Sequence, residues 1–565
     1  MNWNILETDA NLALMSEVLG ISQITATVLA NRGIRSKKAA LAYLQAGRKI
    51  ENTLPESMKD AKKAFDRISQ AIEAKERIMI YGDYDADGVM STVILYKALK
   101  HCGAKVFFYI PKREEEGYGL NIEAVRNIRS NDHDLLITCD NGIASLAEVA
   151  ESKALGMDVI IIDHHEPGFV NEAELIPEAI AIIDPKQSQC PYPFKELCAA
   201  GLCFMLMEAF FRQSNRNFSV LHDELLALAA IATVCDIVEL KGDNRSLVKQ
   251  GLDILNANKD INSGLGKLIT LRGYRDKPIN SFTLGFVIGP CINATGRLES
   301  AELSVHLLLS ENAEQQTKLA QNLSSLNEER KTLTTQCSER LQKAAAKIED
   351  HILVLVDDEC HESIAGIVAG RIKDSLHRPV IVLTRASEAG ILKGSARSIP
   401  AYNMFEALNA NRDLFTRFGG HAMAAGLSLA EENAEELRNR LNKNSSLSKS
   451  DLHPRTDIDR ELSPDEITLA LANELSLLAP FGKGNREALF LTKNLQVTTL
   501  RNIPEKNTLI FTFNNHLKGL AFKQNNQIPP NQPTITLDAI YTIEPNTFNN
   551  RTNVQILIRE FKIKR

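Results

Sequence analysis

Three aspartates at alternate positions behind a short apolar run constrain this chain more than any other feature. The stretch is residues 78–91, IMIYGDYDADGVMS. Ile78-Met79-Ile80-Tyr81 reads as a buried strand. Gly82 to Gly88 reads as a tight turn carrying Asp83, Asp85 and Asp87, and Val89 to Leu99 as a helix. Carboxylates crowded in this way repel one another, and a compact turn keeps them ionised only with positive charge between them. Hard divalent cations bound by carboxylate oxygens meet that need. Two plainer readings are a solvated acidic turn and a calcium loop. A calcium loop needs a helix before it and a bidentate Glu after it. Here a strand precedes, and Val93-Ile94-Leu95 stands where the last ligand belongs.

The pattern from about residue 56 to 260 alternates strand and helix, which predicts an α/β domain with a mainly parallel sheet. Strands are expected at Arg77–Tyr81, Lys105–Ile110, Asp134–Cys139, Met157–Ile162 and Glu178–Ile183. Ligands of such sheets sit beyond the carboxyl ends of the strands. Three of these ends carry Asp83-Tyr-Asp-Ala-Asp87, Asp140-Asn141-Gly142 and Asp163-His164-His165. Their convergence on one rim points to a metal site. A fourth piece is Asp236, alone in the apolar helical stretch ELLALAAIATVCDIVE. It is either a helix-end cap or, as the cost of burying it unpaired favours, a further ligand. Aspartates with histidine and no thiolate signature suit Mn2+ or Mg2+ better than structural zinc. With this many carboxylates two ions are expected. A pair about 3.5–4 Å apart activates water and stabilises a phosphoryl transition state, so the reaction class is metal-assisted phosphoester hydrolysis. No G-x-S-x-G elbow offers a serine nucleophile.

At 565 residues the chain exceeds one hydrophobic core, so three or four domains are expected. The net charge of −6 carries no global sign of a polyanionic partner, and any nucleic-acid site must be a local patch. The start, MNWNILETDANL, lacks the basic-then-apolar pattern of a signal peptide, and no apolar run reaches membrane-spanning length. Nine cysteines without a C-x-x-C pair argue against a zinc ribbon or a disulfide framework and fit a reducing cytoplasm.

Residues 1–55 read as a small helical lead-in closed by Thr53-Leu54-Pro55. The catalytic domain is expected over 56–300. It includes a charged loop, Pro111 to Gly119, and a glycine-rich segment, SFTLGFVIGPCINATGRL, over 281–298. Neither Gly nor Pro occurs between Arg297 and Ala365, and residues 311–350 predict one long helix, within a connecting segment of 301–350. A helix of 40 residues would span about 60 Å, and its apolar positions hold no clean heptad. A second α/β lobe is expected over 351–450. Its Gly366-Ile-Val-Ala-Gly-Arg371, Gly394-Ser-Ala-Arg-Ser398 and Gly419-Gly-His421 offer backbone N–H groups, Ser and Arg for an anion. From Phe481 onward 12 Lys and Arg face 5 Asp and Glu, and several short strands suggest a basic barrel over 451–565. With Phe511, Phe513, Phe522 and Tyr541, most of them expected in its core, this fits an OB fold for single strands.

GDYDADG, CDNG, DHH and VCD, in this order and spacing, resemble motifs I to IV of the DHH phosphoesterase superfamily. The later segments resemble its branch of single-strand-specific 5′→3′ DNA exonucleases, over about 55–565. The resemblance implies metal ligands Asp85, Asp87, Asp140, His164 and Asp236, with Asp140 bridging. Asp83 stands where several relatives carry histidine and joins the set. His165 would face the phosphate or leaving group. Arg113 would take the 5′ phosphate, Tyr118 a base or sugar, and Arg297 a DNA phosphate, while Cys291 replaces a basic residue of many relatives. Ser395 and Arg397 would hold the 5′ phosphate, with Gly419 and Gly420 beside His421 at the scissile phosphate. The stretch His361 to Gly366 departs from the glycine-richer H-x-G-V-I-G of relatives. The implied activity is two-metal hydrolysis of single-stranded DNA from its 5′ end to mononucleotides, in repair and recombination. The implied partners are single-stranded DNA, a single-strand-binding protein and a helicase, with no membrane. Two other classes share the metal motifs: a phosphodiesterase for short oligonucleotides or cyclic dinucleotides, and a non-catalytic DNA-binding relative. The second usually loses ligands, and this chain keeps them.

Overall fold

The computed structural model describes residues 2–45, 55–171, 173–386, 388–514, 516–524, 535–549 and 551–564. The Thr53-Leu54 close of the lead-in lies outside them. The chain divides into two compact units, Leu54–Asp236 with Ile254–Pro454, and Met1–Thr53 with Ile237–Asp253 and Arg455–Arg565.

The first unit holds two α/β lobes. In the first lobe five parallel strands lie in the order Lys105–Tyr109, Arg77–Tyr81, Leu135–Cys139, Asp158–Ile162, Ala181–Ile183. The order reverses direction between Arg77–Tyr81 and Leu135–Cys139, and such a switch opens a crevice beyond the strand ends. Ile78, Ile80, Leu135, Leu136, Ile160 and Ile161 are fully buried, as expected of a sheet covered on both faces. The strand ends agree with the sequence reading to within one residue, except Ala181–Ile183, which is three residues shorter at its start.

The helix Ala86–His101 begins where Asp85 accepts hydrogen bonds from Asp87 N at 2.9 Å and Gly88 N at 3.2 Å. It is apolar all round and buried for most of its length, so it runs through the lobe's interior. The long connecting helix is Ala313–Ala345, 33 residues, shorter than expected and preceded by a separate helix, Glu302–Leu309. Ser310 takes an extended conformation, and Asn312 then caps the long helix through Glu314 N and Gln315 N. No glycine or proline marks this break. The second lobe's sheet runs Phe415–His421, Ala424–Ala430, Ile391–Arg397, Val380–Arg385, Leu353–Val356, with the last two parallel. The helix Glu362–Leu376 packs on it.

The second unit is built on a closed five-stranded barrel, Phe490–Ile503, Thr508–Phe513, Lys518–Phe522, Ile535–Phe548 and Arg551–Lys564, shut by pairing of the first and fourth strands. Phe511, Phe513 and Tyr541 are core, whereas Phe522 is half exposed. The lead-in, read as helical, also has a strand, Asn2–Ile5, paired in parallel with Arg455–Ile458. Its helices contribute Met15, Val28 and Leu29 to the same core as the barrel's Phe490 and Phe511. Among the described residues no single helix is long and apolar enough to cross a membrane.

Candidate functional site

The acidic turn folds tightly because two glycines let it. A Cβ at Gly82 would lie 2.1 Å from Thr92 Oγ1, and one at Gly88 would lie 2.5 Å from both the N and O of Asp83. Asp85 spends one oxygen on capping the helix. Asp87 accepts from Ala199 N at 2.7 Å and Ala200 N at 2.8 Å, the first amides of the helix Ala199–Gln213, where backbone N–H groups favour a carboxylate. The glycine-rich segment closes the turn from the other side. Asn293 Oδ1 accepts from Ala86 N at 2.7 Å, and Gly296 sits where a Cβ would be 2.3 Å from Tyr84 O.

Six of the expected donors converge. Asp83, Asp85 and Asp140 form one group whose ligand atoms lie within 4.8 Å of one another, and Asp87, His164 and Asp236 form a second. Asp140 takes a left-handed backbone conformation, φ 64°, at the end of its strand. From there Asp140 Oδ1 lies 3.1 Å from His164 Nε2, which is 3.7 Å from Asp87 Oδ2 and 3.8 Å from Asp236 Oδ2. Asp140 therefore links the two groups. Asp236 is not inside its helix: Ser219–Cys235 ends just before it, and Ile237 turns the chain with φ 60°. Asp236 thus stands at the helix end and in the cluster together, so the two readings of it are one.

Burial and then mutual repulsion set the charges. Burial, with Asp85 beside it, pushes Asp83 well up and Asp87 up to about 7, and Asp140 rises by burial with four aspartates around it. Burial and the neighbouring His165 push His164 down to about 3, leaving a neutral imidazole. These residues fit a hard divalent cation. Their donors are carboxylate oxygens and one neutral imidazole, Asp83 Oδ1 is buried without a hydrogen-bond partner, and the crowded carboxylates need positive charge.

His165 is held differently. Its Nδ1 donates to Asp163 Oδ1 at 2.7 Å, and the same oxygen accepts from the backbone N of His164 and His165. The other oxygen accepts from Ile143 N. Burial works against charge on His165, and Asp163 overcomes it, pushing the imidazole up to about 9. Sequence reasoning gave Asp163 no role of its own, although the first letter of the DHH motif pointed to it. Tyr118 donates its hydroxyl to Asp140 O at 3.0 Å and lies edge-on to His165. Its ring is half exposed.

The cations expected to meet phosphate stand around this cluster. Arg113 lies over the Tyr84 ring at 5.1 Å. Arg297 Nη1 donates to Ser363 O at 2.5 Å, and burial with Arg113 and Arg330 nearby pushes it down to about 10. Burial, with the charge of Arg113, lowers Arg397 as well. Gly366 makes room for that pocket: a Cβ there would lie 2.6 Å from Arg397 Nη2 and 3.4 Å from Ser395 Oγ. His361 caps the helix Glu362–Leu376 and places Nε2 3.4 Å from Glu114 Oε1, joining the charged loop to the second lobe. Gly419, Gly420 and His421 are exposed at the end of their strand, and Gly420 takes φ 148° where a Cβ would meet Ala424 O at 2.4 Å. No hydrogen bond or ion pair ties the His421 side chain to the acidic cluster among the described residues.

Residues 77–233 match the DHH family, N-terminal domain, residues 349–446 the DHHA1 domain, and residues 458–560 the RecJ OB domain. The chain is 37% identical over 569 residues to the single-stranded-DNA-specific exonuclease RecJ of Bacillus subtilis, covering 99% of this chain and 70% of that one. It is 33% identical to the Escherichia coli protein of the same name, with 94% of each covered. The chain belongs to the RecJ family. A crystal structure of RecJ in complex with Mn2+ from Thermus thermophilus matches it with a TM-score of 0.84 at 29% identity, covering 99% of this chain and 79% of that one. The three RecJ segments, catalytic, DHHA1 and OB, thus account for the acidic cluster, the Ser395 and Arg397 pocket and the barrel.

Proposed function

We propose that this chain is a metal-dependent exonuclease that degrades single-stranded DNA from its 5′ end to mononucleotides, in repair and recombination. The observation that carries this reading is the pair of donor groups joined through Asp140, beside a pocket of Ser395, Arg397 and Arg113 in the same unit. Asp83, Asp85 and Asp140 would hold one Mn2+ or Mg2+, and Asp87, His164 and Asp236 a second. Bound there, two such ions supply a nucleophile at neutral pH and offset charge on the transferred phosphoryl group.

The chain's own residues orient the strand. His165 gives Nδ1 to Asp163 and keeps Nε2 for a phosphate or leaving oxygen. Arg397 and Ser395, with Arg113, would receive a terminal 5′ phosphate, since a guanidinium fork suits its oxygens. Arg297 would hold the next phosphate and Tyr118 a sugar or base. Gly419, Gly420 and His421 would serve the scissile phosphate. We take the domains to be 1–55, 56–300, 301–350, 351–450 and 451–565, the last binding single strands through its basic barrel. Nine free cysteines support a reducing cytoplasm as the working place. A single-strand-binding protein and a helicase would deliver the substrate. The test is digestion of end-labelled single strands with Mn2+ or Mg2+; a protein that hydrolyses only dinucleotides would belong to the small-substrate class instead.

A further inference from the structure

Among the arginines of the first unit that make no ion pair among the described residues are five on the acidic cluster's charged loop and on the elements packed around it: Arg113, Arg297, Arg330, Arg371 and Arg397. Each has a neutral partner instead. Two of them have no place yet on the strand's path: Arg330, and Arg371 at the end of the glycine-containing stretch Gly366 to Arg371.

Arg330 lies on the long helix Ala313–Ala345, which packs against both the helix Gly289–Leu298 carrying Arg297 and the helix Glu362–Leu376 carrying Arg371. The guanidinium is half-buried and fixed along one edge, with Nε and Nη2 donating to Asn327 Oδ1 at 3.2 and 2.9 Å. Asn327 is itself fully buried and donates to Cys291 Sγ at 3.4 Å. Arg330 Nη1 has no acceptor among the described residues. Glu328, two residues before it, is engaged by Arg272 at 2.7 Å and Lys331 at 3.0 Å. Arg371 is exposed and touches only a hydroxyl, Thr335 Oγ1, at 3.3 Å. Arg297 feels the charge of both Asp85 and Arg330, while Arg330 feels that of Arg371 and of no cluster aspartate. The long helix thus carries Arg330 between the helices of Arg297 and Arg371. Guanidiniums side by side repel one another; Glu328 offsets part of that at Arg330, and anionic oxygens would offset the rest.

We propose that Arg330 and Arg371 form a second phosphate subsite, which holds backbone phosphates of the DNA strand beyond the one at Arg297. Arg330 reads a phosphate through its free Nη1 edge, with Asn327 as its positioning residue. Arg371 adds a solvent-side contact to the same strand. The subsite rests on the exonuclease reading, because it assumes a single strand runs past Arg297.

The test measures binding of a 3′-labelled, 5′-phosphorylated oligothymidylate in EDTA, by fluorescence anisotropy over a range of KCl concentrations. Each phosphate contact on a single strand contributes a slope of about 0.7 in log K against log salt. Arg330→Gln and Arg371→Gln are each expected to weaken binding about 3- to 10-fold and to lower the slope by about 0.7. Arg330→Lys is expected to keep the slope, because it keeps the charge. Unchanged slopes in both Gln variants overturn the subsite, as does a Lys variant that loses as much slope as the Gln variant. If Arg330→Gln does not fold, exposed Arg371 alone decides. Wild-type protein that leaves single strands undigested would overturn the function itself; digestion by wild type with unaltered variants would overturn the subsite only.

Discussion

Asp163 Oδ1 lies 2.7 Å from His165 Nδ1 and also accepts the backbone N–H groups of His164 and His165. One buried carboxylate therefore fixes the turn that presents both histidines and the orientation of the second ring. The arrangement resembles the way outer carboxylates orient imidazoles at metal centres generally. Asp163→Asn keeps the shape and an oxygen for Nδ1–H, but loses the negative charge that raises His165 and the acceptor for Ile143 N. The expected result is a fall in kcat of about 100-fold, with binding of single strands changed by less than a few-fold. A comparable loss in binding would mean that Asp163 serves the fold alone.

Asp140 belongs to the donor group of Asp83 and Asp85 and lies 3.1 Å from His164 of the other. Asp140→Ala is expected to abolish hydrolysis and to leave DNA binding within a few-fold. Calorimetric titration with Mn2+ should show loss of tight binding at both sites rather than one. Chelation by EDTA should likewise stop wild-type hydrolysis, with activity returning on addition of Mn2+ or Mg2+. Retained activity in the variant would remove the bridging role.

Gly366 faces Arg397 so closely that a methyl group must displace the guanidinium. Arg397→Ala is expected to lower kcat/KM for 5′-phosphorylated ends by about 10- to 100-fold, the worth of a charged hydrogen bond. It should lower that for 5′-hydroxyl ends much less. Gly366→Ala should move in the same direction by a smaller factor. Competition between phosphorylated and unphosphorylated strands measures both, and equal losses would reject the 5′-phosphate role.

Gly88 is constrained by backbone rather than by a movable side chain, since its missing Cβ would meet Asp83 N and O at 2.5 Å. Gly88→Ala is expected to cost about 3 kcal/mol of stability and to displace Asp83 from the cluster. Denaturant midpoints with and without Mn2+ check this. Wild-type stability with intact Mn2+ binding would show that the turn relaxes freely.

The catalytic lobe was legible in the sequence because its chemistry is local. A strand, an acidic turn and a helix follow one another from Arg77 to His101, and a parallel sheet brings strand ends together whatever the details. The partition of the donors was not legible. Nothing in the spacing says that Asp87 joins His164 and Asp236 while Asp83 and Asp85 join Asp140, since that depends on the left-handed turn at Asp140 and on the amides of Ala199 and Ala200. The break at Ser310 was hidden because Asn312 stops and restarts a helix without glycine or proline. The barrel unit was legible only as a barrel. Its core takes Met15, Val28 and Leu29 from the lead-in. Arg245, fully buried, donates to the carbonyls of Tyr43, Leu477, Leu478, Ala479 and Pro480. An arginine satisfied by five backbone oxygens leaves no pattern in a sequence. Deleting residues 451–565 would strip the lead-in of its core, so the barrel's role is better tested by substitutions on its exposed basic face.

The central claim is most directly tested by a time course on 5′- and 3′-labelled single strands and on a blunt duplex, with purified protein and Mn2+ or Mg2+. The account predicts early release of labelled mononucleotide from the 5′ label, late release from the 3′ label, and an intact duplex. Early release from the 3′ label, or hydrolysis of dinucleotides with long strands left whole, would contradict it.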